Sequence, residues 1–179
     1  MPIILETERL ILRTWLLNDL KDFFGIYGDK EVWRFIDPKG VFKNENVARL
    51  ALQRGTAYQQ EHGISHWAVV EKRRGRAIGA CGFNLFEGGP RLELVYHIAR
   101  AYWGFGYATE AAGACLRYAF ETLHAPAVVA STDPRNLASQ RVLEKIGFAC
   151  EGSRRINDSD ETFYVAVSPD RDAPANDKR

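Results

Sequence analysis

Cysteine is scarce in this chain. Three residues of 179, Cys81, Cys115 and Cys150, are widely spaced and lie in apolar segments. An odd number so placed excludes a disulfide frame or zinc-ligand spacing and predicts reduced core residues of an intracellular protein. Charge of one sign is also missing: 24 basic and 23 acidic residues leave a formal charge of +1. There is thus no electrostatic ground for nucleic acid or an anionic membrane as the main partner. No apolar run approaches the ~20 residues that span a bilayer. The opening Met-Pro-Ile-Ile-Leu-Glu-Thr-Glu has neither the basic nor the long apolar region of a signal peptide. A cytoplasmic protein is expected. Other absences narrow the chemistry. No Gly-Lys-Ser/Thr follows a glycine-rich loop, and Thr109 stands where a dinucleotide fingerprint has its third glycine. No Gly-x-Ser-x-Gly elbow is present. His62 and His66 straddle Gly63, which breaks a helical metal pair, and no metal site is expected.

What is present centres on Arg91 to Phe120. Leu92, Leu94, Tyr96 and Ile98 alternate with Glu93, Val95, His97 and Ala99, the period of a strand. Ala108, Ala112, Cys115, Leu116, Ala119, Phe120 and Leu123 recur at helical spacing. Between them, Gly104 and Gly106 allow a sharp turn, and the first free amides of the helix can receive a phosphate. A tight turn without a ligand is the plainer alternative. Glu110, in the first helical turn, would repel an anion unless it points away.

Around this stretch the chain reads as one domain over 1–167, followed by a frayed polar tail over 168–179. A first strand is expected from Thr7 to Trp15, then a helix capped at Asn18-Asp19 and ended by Gly28. Asn44 is expected to cap a helix over 45–60, with Val47, Leu50, Ala51 and Ala57 as its apolar positions. Strands over 66–71 and 76–86 enclose Lys72-Arg73-Arg74-Gly75, read as a solvated hairpin tip. A buried strand over 127–132 precedes a helix capped by Asn136 and closed by Gly147. Strands over 148–153 and 161–167 flank a turn at Asn157-Asp158-Ser159-Asp160. Helices interrupting a strand series give an α/β or α+β sheet with helices on its faces.

Three segments in this order resemble the GNAT acetyltransferases, and among them the RimJ/RimL-like N-acetyltransferases. They are Thr7-Glu8-Arg9-Leu10-Ile11-Leu12-Arg13; Glu93-Leu94-Val95-Tyr96 leading to Tyr102-Trp103-Gly104-Phe105-Gly106-Tyr107-Ala108-Thr109-Glu110-Ala111; and Asn136 through Phe148. The resemblance spans roughly residues 5 to 167. It implies a mixed, mostly antiparallel sheet splayed between its fourth and fifth strands, with acetyl-CoA entering the gap. Pantetheine would pair with main chain at Tyr96, His97 and Ile98. The pyrophosphate would lie on Gly104, Phe105, Gly106, Tyr107, Ala108 and Thr109. Asn136 and Ser139 would approach the pantetheine arm and thioester, although capping alone also explains Asn136. The chain departs from the pattern at Ala101, where a Gln or Arg is usual, and at Val95, where many members have Gly. Leu143 stands where some carry a tyrosine acid.

The implied reaction is acetyl transfer to a primary amine by direct attack in a ternary complex, since no cysteine has an activating partner. An ammonium needs a base, and Glu93 is the first candidate, against a plain solvent-facing carboxylate. His97 is the second, against a packed histidine. A backbone N–H near Tyr96 to Ile98 would polarise the thioester carbonyl, and Ser139 would supply or relay a proton to sulfur. Trp15, Phe23, Phe24, Trp33 and Phe35 are either core or the wall of the acceptor site. The acceptor is a protein N-terminal α-amine or a small-molecule amine (metabolite, polyamine, sugar or antibiotic). A non-catalytic acyl-CoA-binding module is the alternative of a different class. An exposed edge strand near the C-terminus would suit a homodimer.

Overall fold

Ile3–Glu6 (β1) and Leu10–Arg13 (β2) pair antiparallel, joined by a turn in which the Thr7 amide donates to the Leu10 carbonyl. The expected single strand over Thr7 to Trp15 is therefore a hairpin, with its turn at the Thr7-Glu8-Arg9 segment. The computed structural model describes residues 3–37, 39–156 and 159–169. After β2 come Leu20–Tyr27 (α1), Lys30–Trp33 (α2), Glu45–His62 (α3), His66–Glu71 (β3) and Arg76–Leu85 (β4). Leu92–Ile98 (β5), Tyr107–Glu121 (α4), Ala127–Thr132 (β6), Leu137–Lys145 (α5), Ala149–Ile156 (β7) and Ser159–Val167 (β8) complete the order.

Among the described residues eight strands form one sheet, ordered β1-β2-β3-β4-β5-β6-β8-β7. Every neighbouring pair is antiparallel except β5–β6. That parallel pair meets only at Leu92 with Val128 and Glu93 with Val129. Past Glu93 the two strands part, so the splay lies where the resemblance placed it; β1 makes these the fifth and sixth strands. β1 and β7 are the edge strands.

Strand alternation then sorts the core into two faces. Cys81 and Phe83 of β4 and Leu92, Leu94 and Ile98 of β5 meet α4 and Leu143 of α5 on one face. Ala80, of opposite parity, meets α1 and α3 on the other. Trp67 is almost wholly buried, edge-on to Phe83 and to Tyr118 of α4, with ring centroids 5.9 and 5.6 Å away. Burial of such a side chain contributes about 3 kcal/mol or less.

Several local expectations change. Asp19 does not cap α1; its carboxylate takes two hydrogen bonds from the buried Arg13 guanidinium, at 2.6 and 2.8 Å. Gly28 closes α1 at φ −83°, without the left-handed turn. Asn44 does cap α3, accepting from the Val47 amide at 3.1 Å, and Gly63 ends it at φ 73°. The buried positions of that helix, however, are Ala48 and Leu52, while Val47 and Leu50 are 41% and 55% exposed and Ala57 is exposed. Cys150 is exposed, unlike Cys81 and Cys115. At the basic hairpin tip Lys72 pairs with Glu6, and Arg73 and Arg74 with Glu71. The turn expected at Asn157-Asp158 and the tail from residue 170 lie outside the described residues, as does Pro38; the Ser168 amide donates to the Pro126 carbonyl. Among the described residues no helix is long and apolar enough to cross a membrane.

Candidate active site

The parting of β5 and β6 opens a cavity of about 1010 Å³. Glu93, Tyr96, His97, Ile98, Gly104, Gly106, Tyr107, Ala108, Thr109, Asn136 and Ser139 all line it. Backbone direction follows from register. The Ala99 amide donates to Ile78 on the β4 side, so by alternation the main-chain groups of Leu94, Tyr96 and Ile98 face the gap. The main chain of His97 faces β4 instead, and this residue reaches the cavity through its ring. The Ile98 carbonyl already accepts from the Trp103 indole at 2.6 Å.

The glycine turn has the form an anion cradle needs. Gly104 and Gly106 have φ of 81° and 79°, the left-handed region that side chains disfavour, and Gly106 is the N-cap of α4. Amides of the first turn of α4 therefore have no intrahelical acceptor and open toward the cavity. Phe105 is the exception in this segment: it is 62% exposed and does not line the cavity. Glu110 points away from the cradle, held by the Thr7 hydroxyl at 2.6 Å and the Arg9 Nε at 2.6 Å. Burial would push its carboxyl up, but these bonds win and hold it below the usual range. The repulsion expected from Glu110 is thereby removed.

Across the gap, Asn136 caps α5 by accepting from the Ser139 amide at 3.2 Å. The Ser139 hydroxyl lies 2.7 Å from the Tyr96 hydroxyl, which also donates to the Ser139 carbonyl at 3.1 Å. Burial, only partly opposed by the serine, pushes the Tyr96 phenol up. The strand and the helix are thus tied together by a hydroxyl pair on the floor of the gap.

On the opposite sheet face the site is acidic and aromatic. Burial raises the Glu93 carboxyl, with Asn84 and Ser131 hydrogen bonds working the other way. Asn84 stands directly opposite Glu93 in the β4–β5 ladder. Glu161, from β8, also lines the cavity; burial raises it first, then the charges of Asp133 and Glu93. A carboxyl raised in this way is a better base than an exposed one. His97 behaves differently: burial, and secondarily His66, pushes it down to about 3, so its ring is neutral and weakly basic. Its Nδ1 is 3.2 Å from the Tyr27 hydroxyl, the arrangement of a packed histidine. Trp15, Phe23, Trp33 and Phe35 line the cavity, and the first three are core as well; Phe24 packs against the same core without lining the cavity. Asn84, Ser131, Glu161 and Tyr27 escaped the sequence reading. For the first three the only signal is strand parity, which joins them to Glu93 once cross-strand register is known; Tyr27, on α1, reaches the site only through the packing of that helix on the sheet.

With this geometry in hand, comparison with known proteins is informative. The family model of the acetyltransferase (GNAT) domain matches residues 9–149. The uncharacterized N-acetyltransferase p20 of Bacillus licheniformis is 31% identical over 152 residues, 84% of this chain and 85% of that protein. An acetyltransferase (GNAT family) from Bacillus anthracis superposes with a TM-score of 0.79 at 27% identity, covering 90% of this chain and 96% of its own. RimL, a ribosomal L7/L12 alpha-N-protein acetyltransferase solved in complex with coenzyme A, shares the fold at a TM-score of 0.79 and 19% identity. That superposition covers 96% of this chain and 100% of the other. An enzyme, and not a mere acyl-CoA-binding module, is what these relatives are. The matched span takes in the splayed strands, the glycine turn and the capped helix of Ser139, and the chain belongs to the GNAT acetyltransferases.

Proposed function

We propose that this protein is an acetyl-CoA-dependent N-acetyltransferase acting on a primary amine by direct attack in a ternary complex. Acetyl-CoA, as co-substrate, supplies the activated acetyl carbonyl. The observation that carries the reading is that Glu93 and the glycine cradle, at the two ends of the β5 run that parts from β6, open into one cavity. The positive-φ turn at Gly104 and Gly106 suits the pyrophosphate, and the main chain of Tyr96, past the last β5–β6 pair, suits the pantetheine arm. The Tyr96 amide polarises the acetyl carbonyl. Glu93, raised by burial, removes a proton from the incoming ammonium. Ser139, bonded to Tyr96, relays a proton toward the leaving sulfur.

For the acceptor, a protein N-terminal α-amine is the first class to test, by analogy with RimL, a ribosomal L7/L12 alpha-N-protein acetyltransferase. The aromatic wall of Trp15, Phe23 and Trp33 favours the second class, a small amine with an apolar body. Incubation with labelled acetyl-CoA and a cell extract separates them. Label at protein α-amines supports the first; label confined to small molecules supports the second and rejects the first. Glu93→Gln is expected to lower kcat by about 10²–10⁴ while leaving CoA binding intact. An unchanged kcat would remove Glu93 from the mechanism.

A further inference from the structure

The Thr7-Glu8-Arg9 segment resembles its family, yet nothing in the reaction above uses it. It lies in the β1–β2 turn, about a hundred residues from the glycine turn in sequence and in contact with it in space. The Arg9 guanidinium donates through Nε to Glu110 at 2.6 Å and through Nη1 to the Phe105 carbonyl at 3.0 Å. Its carbon lies 4.6 Å from the centre of the Tyr107 ring. The Arg9 amide and the Thr7 hydroxyl hold the other Glu110 oxygen, at 2.9 and 2.6 Å. One side chain therefore grips the loop at Phe105, the ring at Tyr107 and the first turn of α4 at Glu110.

Peptide geometry gives this grip a consequence. The bond between Phe105 and Gly106 is trans and planar, so its C=O and N–H point in opposite directions. With the carbonyl bound to Arg9, the Gly106 N–H is turned to the opposite side, away from the β1–β2 hairpin. Gly106 lines the cavity and Phe105 does not, which agrees with that direction. A flip of this peptide changes ψ of Phe105 and φ of Gly106, and with no Cβ at Gly106 the second rotation is weakly opposed. Holding it requires an outside partner, and Arg9 is that partner.

We propose that Arg9 is a positioning residue for the donor substrate: it locks the Phe105–Gly106 peptide with its N–H toward the pyrophosphate and withdraws the Glu110 charge from the cradle. The proposal rests on the acetyl-CoA reading above. It does not place Arg9 on the phosphate, because the guanidinium holds the carbonyl side of the loop. Glu110 serves as the anchor that keeps the fork in place, and lysine cannot replace it because a single ammonium lacks two rigidly spaced donors.

The test compares two probes, CoA and pantetheine, the latter lacking the pyrophosphate, by titration calorimetry with the full chain. Arg9→Ala is expected to weaken CoA about tenfold to a hundredfold, the scale of one or two charge-assisted amide bonds. Pantetheine affinity should change less than twofold. Arg9→Lys should fall with Arg9→Ala on CoA despite its retained charge. If Arg9→Ala does not fold, Glu110→Gln, which breaks the same fork from the other side, carries the comparison. Equal weakening of both probes would mean a general structural role and overturn the proposal, as would unchanged CoA affinity. Failure of the wild-type protein to bind CoA at all would reject the donor reading, and the positioning role with it.

Discussion

Single residues here are set by what they face more than by what they are. Asp19 has the sequence position of a helix cap, yet it faces Arg13 and forms a buried two-bonded ion pair, while the Leu16 amide donates to it as well, at 2.8 Å. Truncation would leave the Arg13 guanidinium buried without its counter-charge. Asp19→Ala is therefore expected to cost about 3–5 kcal/mol in urea unfolding, well beyond the loss of a cap. The same contrast holds for Glu93 and Glu110. Both carry carboxyls near the substrate cavity, but burial raises one and bonds from Thr7 and Arg9 lower the other. Position, not residue type, sets the direction in which each carboxyl is shifted.

At the scale of elements, Asn136 shows how a cap can serve a site. It accepts from the Ser139 amide and so fixes the turn that presents the Ser139 hydroxyl to Tyr96. Asn136→Ala is expected to lower stability by about 1 kcal/mol, measured by denaturant midpoint. Elements with strong local signals were legible in the sequence: β3 runs over His66–Glu71, the expected span before the hairpin turn, and Gly63 and Gly147 end their helices with φ of 73° and 97°. Weaker or non-local signals misled. The face of α3 is buried through the small Ala48, while Val47 and Leu50 point outward, so apolar spacing selected the wrong stripe. The break between β1 and β2 depends on Thr7 bonding across the turn, and the alternating residues on both sides concealed it. For the site, Glu93 and the glycine turn were legible because one strand and one turn carry them. Asn84 and Glu161 were not, because one ladder of register separates Asn84 from Glu93 and two separate Glu161 from it.

Over the whole molecule, the titrating groups between sheet and helices make stability depend on pH. His66 and His97 are both held neutral, with burial as the leading cause in each, His97 down to about 3. Unfolding frees them to bind protons below about 6.5. Stability from these histidines is thus present above that pH and lost on acidification, by at most about 1.4 kcal/mol per pH unit for each. Glu93 and Glu161 act in the opposite sense: their raised values make the folded state hold protons longer, so their contribution falls as pH rises from about 4.5. The two effects are separated by comparing wild type with His97→Gln in urea titrations at pH 7.5 and 5.0. The variant is expected to lose less stability on acidification; an equal loss would mean that His97 does not carry the dependence. The gap between β5 and β6 also bears on how molecules of this protein coexist in solution. An unpaired strand edge on a protein's outside is a template for aggregation. Here the free edge lies inside the sheet, closed at one end by the Leu92–Val128 and Glu93–Val129 pairs and at the other by the Trp103 indole on the Ile98 carbonyl. A run bounded at both ends offers its hydrogen bonds to a slender ligand and denies a neighbouring molecule's sheet the open length that cross-pairing needs.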